Sequence, residues 1–408
     1  MKRPHIAGLR GTFRTAGDSR VTAYSFETIT ADEALNIQTG DYLTLHSGPA
    51  ARAVVRYLAA TPDLPARIEL SVGERTVVFG QNLAGLSLRG ALDVTDGSRL
   101  VIGDADRQST GGTLGHDALY GGEGHDIVHG LAGDDRVQGN AGNDTLYGDG
   151  GADTISGGQG DDRIELGATG DLHGGWAHGN KGDDQLYGGA GNDTLLGGQG
   201  DDAITGREGD DYISGDLGND VLFGGAGNDT IHGGDGDDEI KTSGGDDVVD
   251  AGRGDDIVTI TGSGTTYVDG GDGVDRIVIA GDGKDVVLGG AWADIFEIHA
   301  SVPPPSDPTH WDEIRDWSAD EHLLFAQVHA VADILPRSYS EFVAADFPEA
   351  YRIANEHIAA TGAIYVAAQV GGNVFVFADT DGNAANGADA GVMLAGRTLF
   401  DIALSNFL

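Results

Sequence analysis

Apolar residues between residues 112 and 297 recur with a period of nine, which is neither the 3.6 of a helix nor the 2 of a simple strand. This stretch contains eighteen nonapeptide units, of which GGQGDDAIT (197–205) is representative. The eighth position is apolar in all eighteen units, and the sixth position is Asp in all eighteen. The fourth position is Gly in seventeen units, and Trp292 is the exception. A fixed period held for so long predicts a solenoid whose repeats are structural units.

The repeats fall into three blocks, which span 112–165, 179–259 and 270–297. The segments between them, 166–178 and 260–269, lack the expected Asp, and we interpret both as degenerate turns or bulges within one roll. Each unit predicts a Gly-rich turn of six residues followed by a three-residue strand, because Gly accepts the positive φ angles that a tight turn requires. Two units complete one coil, so we expect residues eighteen apart to stack.

The residues before the repeats predict a small β-rich region. Strands are predicted at 41–47, 66–72 and 75–80, where β-branched and aromatic residues alternate with polar ones. ARAVVRYLAA (51–60) predicts a short helix, and 83–105 predicts irregular turns that lead into the roll.

The residues after the repeats predict a mixed α and β cap that begins beyond the Pro-rich segment 301–308. A helix is predicted over about 348–361, followed by a hairpin in which IYVAAQ and NVFVFA are separated by Val370, Gly371 and Gly372. The predicted fold is therefore mostly β. We expect an N-terminal region at 1–105, a parallel β-roll (a β-helix or solenoid) at 106–300 and a C-terminal cap at 301–408.

Stacking of coils would align the sixth-position aspartates in two ladders. In the second block we expect one ladder at Asp184, Asp202, Asp220, Asp238 and Asp256, and the other at Asp193, Asp211, Asp229 and Asp247. Neighbouring strands lie about 4.8 Å apart, and two bare carboxylates about 5 Å apart repel by roughly 3 kcal/mol at an effective dielectric constant of 20. A divalent cation between each stacked pair of carboxylates would turn this repulsion into a net attraction. Calcium suits such a site because it accepts six to eight oxygen ligands, including backbone carbonyls.

The nonapeptide GGxGxDxUx, with U apolar, resembles the calcium-binding repeat of the RTX family over 112–297. The resemblance implies a parallel β-roll and export through a type I secretion channel, with an uncleaved C-terminal signal and an extracellular or cell-surface location. Residues 312–325 resemble the segment that often follows RTX repeats, and 365–408 resemble RTX C-terminal regions. The N-terminal sequence MKRPHIAGLRG has no long apolar run, so we expect no Sec signal peptide.

Stacked pairs within the first two blocks amount to eleven calcium sites, and the third block would add a few. The predicted ligands are the sixth-position aspartates, namely Asp117, Asp126, Asp135, Asp144, Asp153, Asp162, Asp184, Asp193, Asp202, Asp211, Asp220, Asp229, Asp238, Asp247, Asp256, Asp275, Asp285 and Asp294. A further site is predicted at Asp379, Asp381 and Asn383, whose D-x-D-G-N sequence resembles the start of an EF-hand loop. The alternative for that segment is an Asx-rich hairpin turn.

Charge and composition limit the function classes. The net charge of −42 disfavours nucleic acid and anionic lipid surfaces as partners. No segment offers the roughly 20 apolar residues of a membrane span, and the chain has no Cys for disulfides or thiolate sites. The sequence contains no H-E-x-x-H motif, and Ser87 lies in GLSLRG, which departs from the G-x-S-x-G elbow. We therefore expect no enzyme.

Three hypotheses remain open. The first is a secreted structural protein that folds and self-associates on extracellular calcium, as a component of a surface layer, filament or matrix. The second is an adhesin in which residues 1–80 bind a cell-surface glycan or receptor and the roll serves as a stalk. The third is an enzyme with its site in the N-terminal region.

Overall fold

A computed structural model describes most of the chain. The described residues are 12–14, 20–38, 42–46, 50–58, 60–61, 64–81, 83–84, 92–94, 100–103, 109–167, 170–299, 311–318, 320–326, 339–361, 365–380, 388 and 390–407. Among these described residues the fold is mostly β, with 53% of them in strands, two helices and a parallel β-solenoid of about 13 turns. The chain divides into two compact units, 1–194 and 195–408. Neither helix among the described residues is long and apolar enough to cross a membrane.

The described residues of the N-terminal region form two small sheets and one short helix. Strands β1 to β7 are Thr12–Arg14, Arg20–Ser25, Tyr42–Leu45, Ala53–Leu58, Arg67–Val72, Arg75–Gly80 and Leu92–Val94, and helix α1 is Ala31–Leu35. One sheet has the order β1-β2-β3-β7, and the other is the antiparallel meander β4-β5-β6. A capping box begins α1, because the side chains and backbone groups of Thr30 and Glu33 satisfy each other.

The helix predicted over 51–60 is wrong. A 3₁₀ turn spans Ala50–Arg52, and Ala53–Leu58 is a strand that pairs antiparallel with β5. Ala53 and Val55 are buried, whereas Val54 and Arg56 point outward. This period-2 alternation and the two β-branched valines favour a strand over a helix.

The N-terminal sheets share one core with the first coils of the roll. Leu100, Ile102, Ala118 and Tyr120 pack in the same buried cluster as Phe26 and Leu70 of the N-terminal region. The hydroxyl of Tyr120 donates a hydrogen bond of 2.8 Å to the carbonyl of Ala53. The residues before the repeats therefore pack against the start of the roll within the first compact unit.

The roll consists of short parallel strands on two opposing sheets. In the first unit the strands β8 to β17 are Leu100–Ile102, Ser109–Gly111, Ala118–Glu123, Ile127–Ala132, Arg136–Ala141, Thr145–Gly150, Thr154–Gln159, Arg163–Glu165, Trp176–Lys181 and Gln185–Tyr187. Alternate strands pair, so Ala118 lies beside Arg136, one coil of eighteen residues later. Most of these strands have six residues rather than three, because the ladder continues through the first glycine, as in the pairing of Asn140 with Gly158.

The second unit continues the same pattern. Strands β18 to β29 are Thr194–Gln199, Ala203–Glu208, Tyr212–Leu217, Val221–Ala226, Thr230–Asp235, Glu239–Thr242, Val248–Arg253, Ile257–Ile260, Tyr267–Asp272, Arg276–Ile279, Val286–Leu288 and Ile295–Ile298. Eighth-position side chains such as Ile204, Leu222 and Ile240 point inward and are fully buried. They supply the hydrophobic core between the two sheets.

Both interrupted segments lie within the roll, as predicted. Thr154 pairs with Trp176 across the first interruption, a step of 22 residues rather than 18. Val248 pairs with Tyr267 across the second, a step of 19. The extra residues are thus absorbed in the turns without a change of strand order.

The C-terminal region adds a βαβ unit and a hairpin to the end of the roll. Strands β30 to β35 are Glu313–Ile314, His322–Phe325, Tyr339–Ala344, Tyr365–Val370, Asn373–Ala378 and Ala390–Leu394, and helix α2 is Phe347–Thr361. Two 3₁₀ turns, Leu399–Asp401 and Leu404–Asn406, follow. The predicted helix and hairpin are both confirmed, and Gly371 at φ 61° makes the tight turn between β33 and β34. Trp311 lies at the centre of the cap core, against Phe347, Phe375 and Phe377.

Candidate metal centre

The turns of most repeats contain residues with left-handed backbone at the second and fourth positions. The fourth-position glycines, such as Gly200 and Gly218, have φ angles of 125° and 136°. Only Gly adopts such angles without steric cost. A Cβ on Gly218 would also lie 1.9 Å from the carbonyl oxygen of Gly200, one coil earlier. The repeat keeps Gly at this position because consecutive turns stack in backbone contact.

The turn directs every sixth-position aspartate into the roll. All eighteen predicted side chains are buried, between 0 and 3% exposed. The residue after each aspartate begins a strand, so the carboxylate lies at the point where the turn meets the sheet. The next coil presents an equivalent carboxylate beside it. We call two such carboxylates one coil apart a rung.

Backbone amides connect the members of many rungs. In the first unit the amide of Asp126 donates to Oδ1 of Asp144 at 2.7 Å, and the amide of Asp144 donates to Oδ1 of Asp162 at 2.8 Å. Asp162 in turn donates to Asp184 at 2.7 Å, across the first interruption. In the second unit the same bond joins Asp256 to Asp275 at 2.9 Å, across the second interruption. The eleven sites predicted by pairing aspartates within the first two blocks therefore do not include these two rungs.

Many of these carboxylates have one oxygen without a hydrogen-bond partner in the described part of the chain. This oxygen is Oδ2 in Asp135, Asp144, Asp153, Asp162, Asp220, Asp229, Asp238 and Asp256. A buried polar atom without a partner costs about 1–3 kcal/mol, and more when it is charged. The repetition of this cost along the roll indicates that a ligand compensates for it.

Backbone oxygens converge on the same atoms. A Cβ placed on Gly215 would collide with Oδ2 of Asp220 and with the carbonyl oxygen of Gly233. The first-position glycine therefore lines a small space bounded by a carboxylate oxygen and a carbonyl oxygen. Among the described residues, no group of three or more His, Cys, Asp and Glu side chains is placed to hold a metal ion. A metal in the roll thus needs carbonyl oxygens beside the carboxylates, which is the ligand set that calcium accepts.

Burial raises the pKa of these carboxyl groups. It raises the pKa of Asp162 to about 8, and the carboxylates of Asp144 and Asp184 add to the rise, although a hydrogen bond from the amide of Asp144 opposes it. Burial likewise raises the pKa of Asp153 and Asp238 to about 7 and that of Asp256 to about 6. Burial without a metal therefore disfavours the ionised form of these carboxyl groups, and a bound cation would favour it.

Two described ladder positions within the roll, both at interruptions, have no carboxylate. Gly175 lies where the first interruption leaves no carboxylate, and its amide donates to Oδ1 of Asp193 at 2.7 Å. Thr266 lies at the second interruption and donates to Oδ1 of Asp285 at 2.9 Å. The backbone link between coils continues at both places although one carboxylate is missing.

The structure adds ladder members that the nonapeptide pattern does not contain. The amide of Asp285 donates to Oδ1 of Asp312 at 3.0 Å, so Asp312 takes the next position of that ladder, 27 residues later. Glu321 takes the corresponding position after Asp294, because His322 pairs with Ile295. A spacing of nine between Asp312 and Glu321 is the signal that could have revealed both. The spacing is hard to detect because His310 and Ala319 stand where the fourth-position glycines would be.

The second predicted site is only partly described. Asp379 is buried directly after β34, whereas Asp381 and Asn383 lie outside the described residues. The EF-hand-like interpretation of this segment stays a prediction. The histidines at variable repeat positions point toward solvent, as His116 and His129 do. Their Nδ1 atoms contact neighbouring polar groups of the next coil, namely Asp134 and Asp149.

Comparison with known protein families gives a match to the RTX calcium-binding nonapeptide repeat. Copies of this family model overlap at 111–137, 129–164, 138–172, 169–204, 187–222, 196–231 and 223–258. The resemblance inferred from the repeats is thus confirmed over 111–258. A search of curated proteins found no match to the chain.

Proposed function

We propose that this chain, whose residues 111–258 are RTX calcium-binding nonapeptide repeats, is a secreted structural protein that folds on extracellular calcium and then self-assembles. The observation that carries the proposal is the row of buried carboxylates whose Oδ2 atoms have no hydrogen-bond partner, as in Asp144 and Asp238. Calcium bound at the rungs would turn a repulsive array into the main stabilising interaction of the roll. Metal binding and folding are then a single event.

The same coupling suits export. A bacterial cytosol holds little free calcium, so the roll would stay unfolded there and remain able to pass through a type I secretion channel. Outside the cell, calcium at higher concentration would fold it. In this proposal residues 365–408 contain the export signal, an assignment supported by their resemblance to RTX C-terminal regions. We assign the buried repeat carboxylates no catalytic role, because each has a structural position in the roll.

An exposed apolar column supports self-assembly. Tyr212, Val248 and Tyr267 lie on one sheet of the second unit, connected in register through Thr230. Each of the three apolar side chains is partly exposed. The column itself contains no charged residue, but the exposed carboxylates of Asp250 and Asp269 flank it on the same face, so cations must neutralise them before a second copy of the chain can contact it. We propose this column as the contact between copies, once calcium has lowered the negative charge of the protein.

A calcium titration of the purified full chain tests both parts of the proposal. Circular dichroism reports β-structure and light scattering reports particle size on the same sample, with magnesium as the control. We expect both signals to rise with calcium and not with magnesium, because magnesium dehydrates reluctantly and prefers strict octahedral geometry. A rise in β-structure with a monomeric particle would overturn assembly and favour the adhesin alternative. No change in either signal would overturn calcium-dependent folding itself.

A matched pair of substitutions tests the column. Val248→Lys places a charge in the column, whereas Val274→Lys places the same charge in a turn at similar exposure, 49% against 46%. We expect Val248→Lys to abolish the calcium-dependent rise in scattering without changing the dichroism, and Val274→Lys to change neither. Equal light scattering from both variants and the parent chain would show that the column is not the contact between copies.

A further inference from the structure

Glu321 occupies a ladder position that sequence repeats fill with aspartate. Strand β31 pairs in parallel with β29, and the amide of His322 donates to the carbonyl of Asp294 at 2.8 Å. The amide of Ile295 makes the same bond to the carbonyl of Asp275 at 2.8 Å, one coil earlier. Glu321 therefore directly precedes its strand, as Asp294 and Asp275 precede theirs.

The environment of Glu321 resembles that of the repeat aspartates. Its side chain is 1% exposed, and its Oε2 accepts no hydrogen bond from the described part of the chain. The carboxylates of Asp316 and Asp294 are near enough to disfavour its charge, and Arg397 is near enough to favour it. Oδ2 of Asp294 likewise has no partner among the described residues. Two buried carboxylates on consecutive coils thus each have an oxygen without a partner.

We propose that Asp294 and Glu321 hold a calcium ion between the roll and the last coil. This ion would stabilise the docking of the C-terminal tail, residues 401–407. The inference rests on the proposed calcium-dependent folding, but it assigns a site outside the nonapeptide repeats. A 27-residue step replaces the usual 18, and glutamate replaces aspartate. The longer side chain of glutamate can reach a cation from a turn whose backbone no longer follows the glycine-rich pattern. Backbone carbonyls supply the remaining ligands, as elsewhere in the roll.

The link to the tail runs through the backbone and neighbours of Glu321. The Nδ2 of Asn406 donates to the carbonyl of Glu321 at 2.8 Å, and this bond is buried. The Nε1 of Trp317 donates to the carbonyl of Asp401 at 3.3 Å, and Leu323 forms a β-bridge with Phe407. Residues 401–407 therefore dock on the coil that contains Glu321. A calcium ion that joins Glu321 to Asp294 would therefore stabilise the coil on which the tail packs.

The competing explanation is that Arg397 alone balances the charge of Glu321. Nε of Arg397 is buried and has no hydrogen-bond partner among the described residues. The guanidinium therefore has a donor that could interact with Glu321. One positive charge cannot balance Asp294, Asp316 and Glu321 together. This explanation also predicts that the docking of the tail is independent of calcium, and that difference can be measured.

The direct experiment is crystallography of the full chain in calcium, with anomalous difference density at each rung. We expect a peak between Oδ2 of Asp294 and Oε2 of Glu321, as well as at regular rungs such as the one between Asp220 and Asp238. Peaks at the regular rungs but none beside Glu321 would overturn this inference alone. Density at no rung would instead overturn the proposed function.

Hydrogen exchange in solution provides the second readout. The full-length Glu321→Gln variant keeps the shape of the side chain and removes its charge, and Asp320→Asn is the control because Asp320 is the exposed neighbour. We expect Glu321→Gln to raise by about tenfold the calcium concentration that protects 401–407, since a lost charged ligand is worth at least about 1.4 kcal/mol. Protection of 212–240 should stay unchanged, and Asp320→Asn should behave as the parent chain.

Two results would contradict the proposed site. One is that Glu321→Gln leaves the calcium midpoint of tail protection unchanged. The other is that it lowers tail protection equally with calcium and with chelator, as a role through Arg397 alone would require.

Discussion

The backbone amide of Asp220 donates a hydrogen bond of 2.8 Å to Oδ1 of Asp238, one coil further along the chain. The amide of Asp238 makes the same bond to Oδ1 of Asp256 at 2.7 Å. Each carboxylate therefore has one oxygen fixed by the preceding coil and the other, Oδ2, left for a cation. The backbone bond orients the ligand before any metal binds, so the sequence needs only one well-placed Asp in each repeat.

Asp238→Asn should weaken both the rung and the coil-to-coil bond. The neutral amide can still accept the hydrogen bond from Asp220, but it loses the charge that attracts calcium. Because hydrogen bonds to charged groups are worth about 1.5–3 kcal/mol, we expect a loss of about that size in the free energy of unfolding in saturating calcium. Urea unfolding, followed by circular dichroism, measures it.

Asp237→Asn is the matched control, because Asp237 is the preceding residue and is exposed. It changes the net charge equally and should alter the free energy of unfolding by less than about 0.5 kcal/mol. If both variants lost the same stability, the effect would come from the overall charge of the chain and not from the rung.

The period of nine predicted the core and the ladders because one structural rule repeats without change. In each repeat an Asp and the apolar residue two positions after it both point into the roll. Asp202 and Ile204 are buried in this way, as are Asp238 and Ile240. Local sequence decides the structure here, since each repeat contacts its neighbours through the same positions.

The last coil was missed because its position depends on strand pairing and not on local sequence. Asp312 and Glu321 lack the glycines that identify a repeat, and the pairings of Glu313 with Val286 and of His322 with Ile295 show that they belong to the ladders. The segment 51–60 was misread for a related reason. Its alanines, arginines and leucine favour a helix, whereas its two valines favour a strand, and pairing with the antiparallel partner Arg67–Val72 decides for the strand.

Ile240→Ala should destabilise the calcium-loaded roll strongly. Ile240 is fully buried between the two sheets, and such a truncation leaves a cavity that costs about 2–5 kcal/mol. Ile257→Ala is the control, since Ile257 is 39% exposed on an outer face. Thermal unfolding in calcium should separate the two variants by at least about 1.5 kcal/mol. Equal losses would mean that the eighth position does not form the core.

Trp292→Gly should stabilise the roll although it removes a large side chain. Trp292 stands at the fourth position with φ 92°, and its side chain is 76% exposed, so little packing is lost. A left-handed conformation costs a residue with a Cβ about 1–2 kcal/mol. We expect a gain of about 1 kcal/mol after the larger conformational entropy of unfolded Gly is included. Trp292→Ala keeps the Cβ and should give no such gain, and equal stabilities of the Gly and Ala variants in calcium would contradict this reading.

Acid should promote folding of the metal-free roll. In the folded chain burial raises the pKa of Asp162 to about 8 and that of Asp135 and Asp238 to about 7, whereas an unfolded Asp titrates near about 3.9. Between about pH 4 and pH 8 the folded state therefore binds more protons than the unfolded state. Stability without calcium must then fall as the pH rises through this range and increase as the pH is lowered.

Circular dichroism in chelator between pH 8 and pH 5 tests this expectation, with sedimentation to detect precipitation. We expect soluble β-structure to increase as the pH falls. With calcium present the dependence should reverse, because protons and calcium compete for the same carboxylates, so the calcium midpoint should rise below about pH 7. A metal-free chain that stays equally unstructured from pH 8 to pH 5 would show that carboxylate repulsion and desolvation are not what keeps the roll unfolded without calcium.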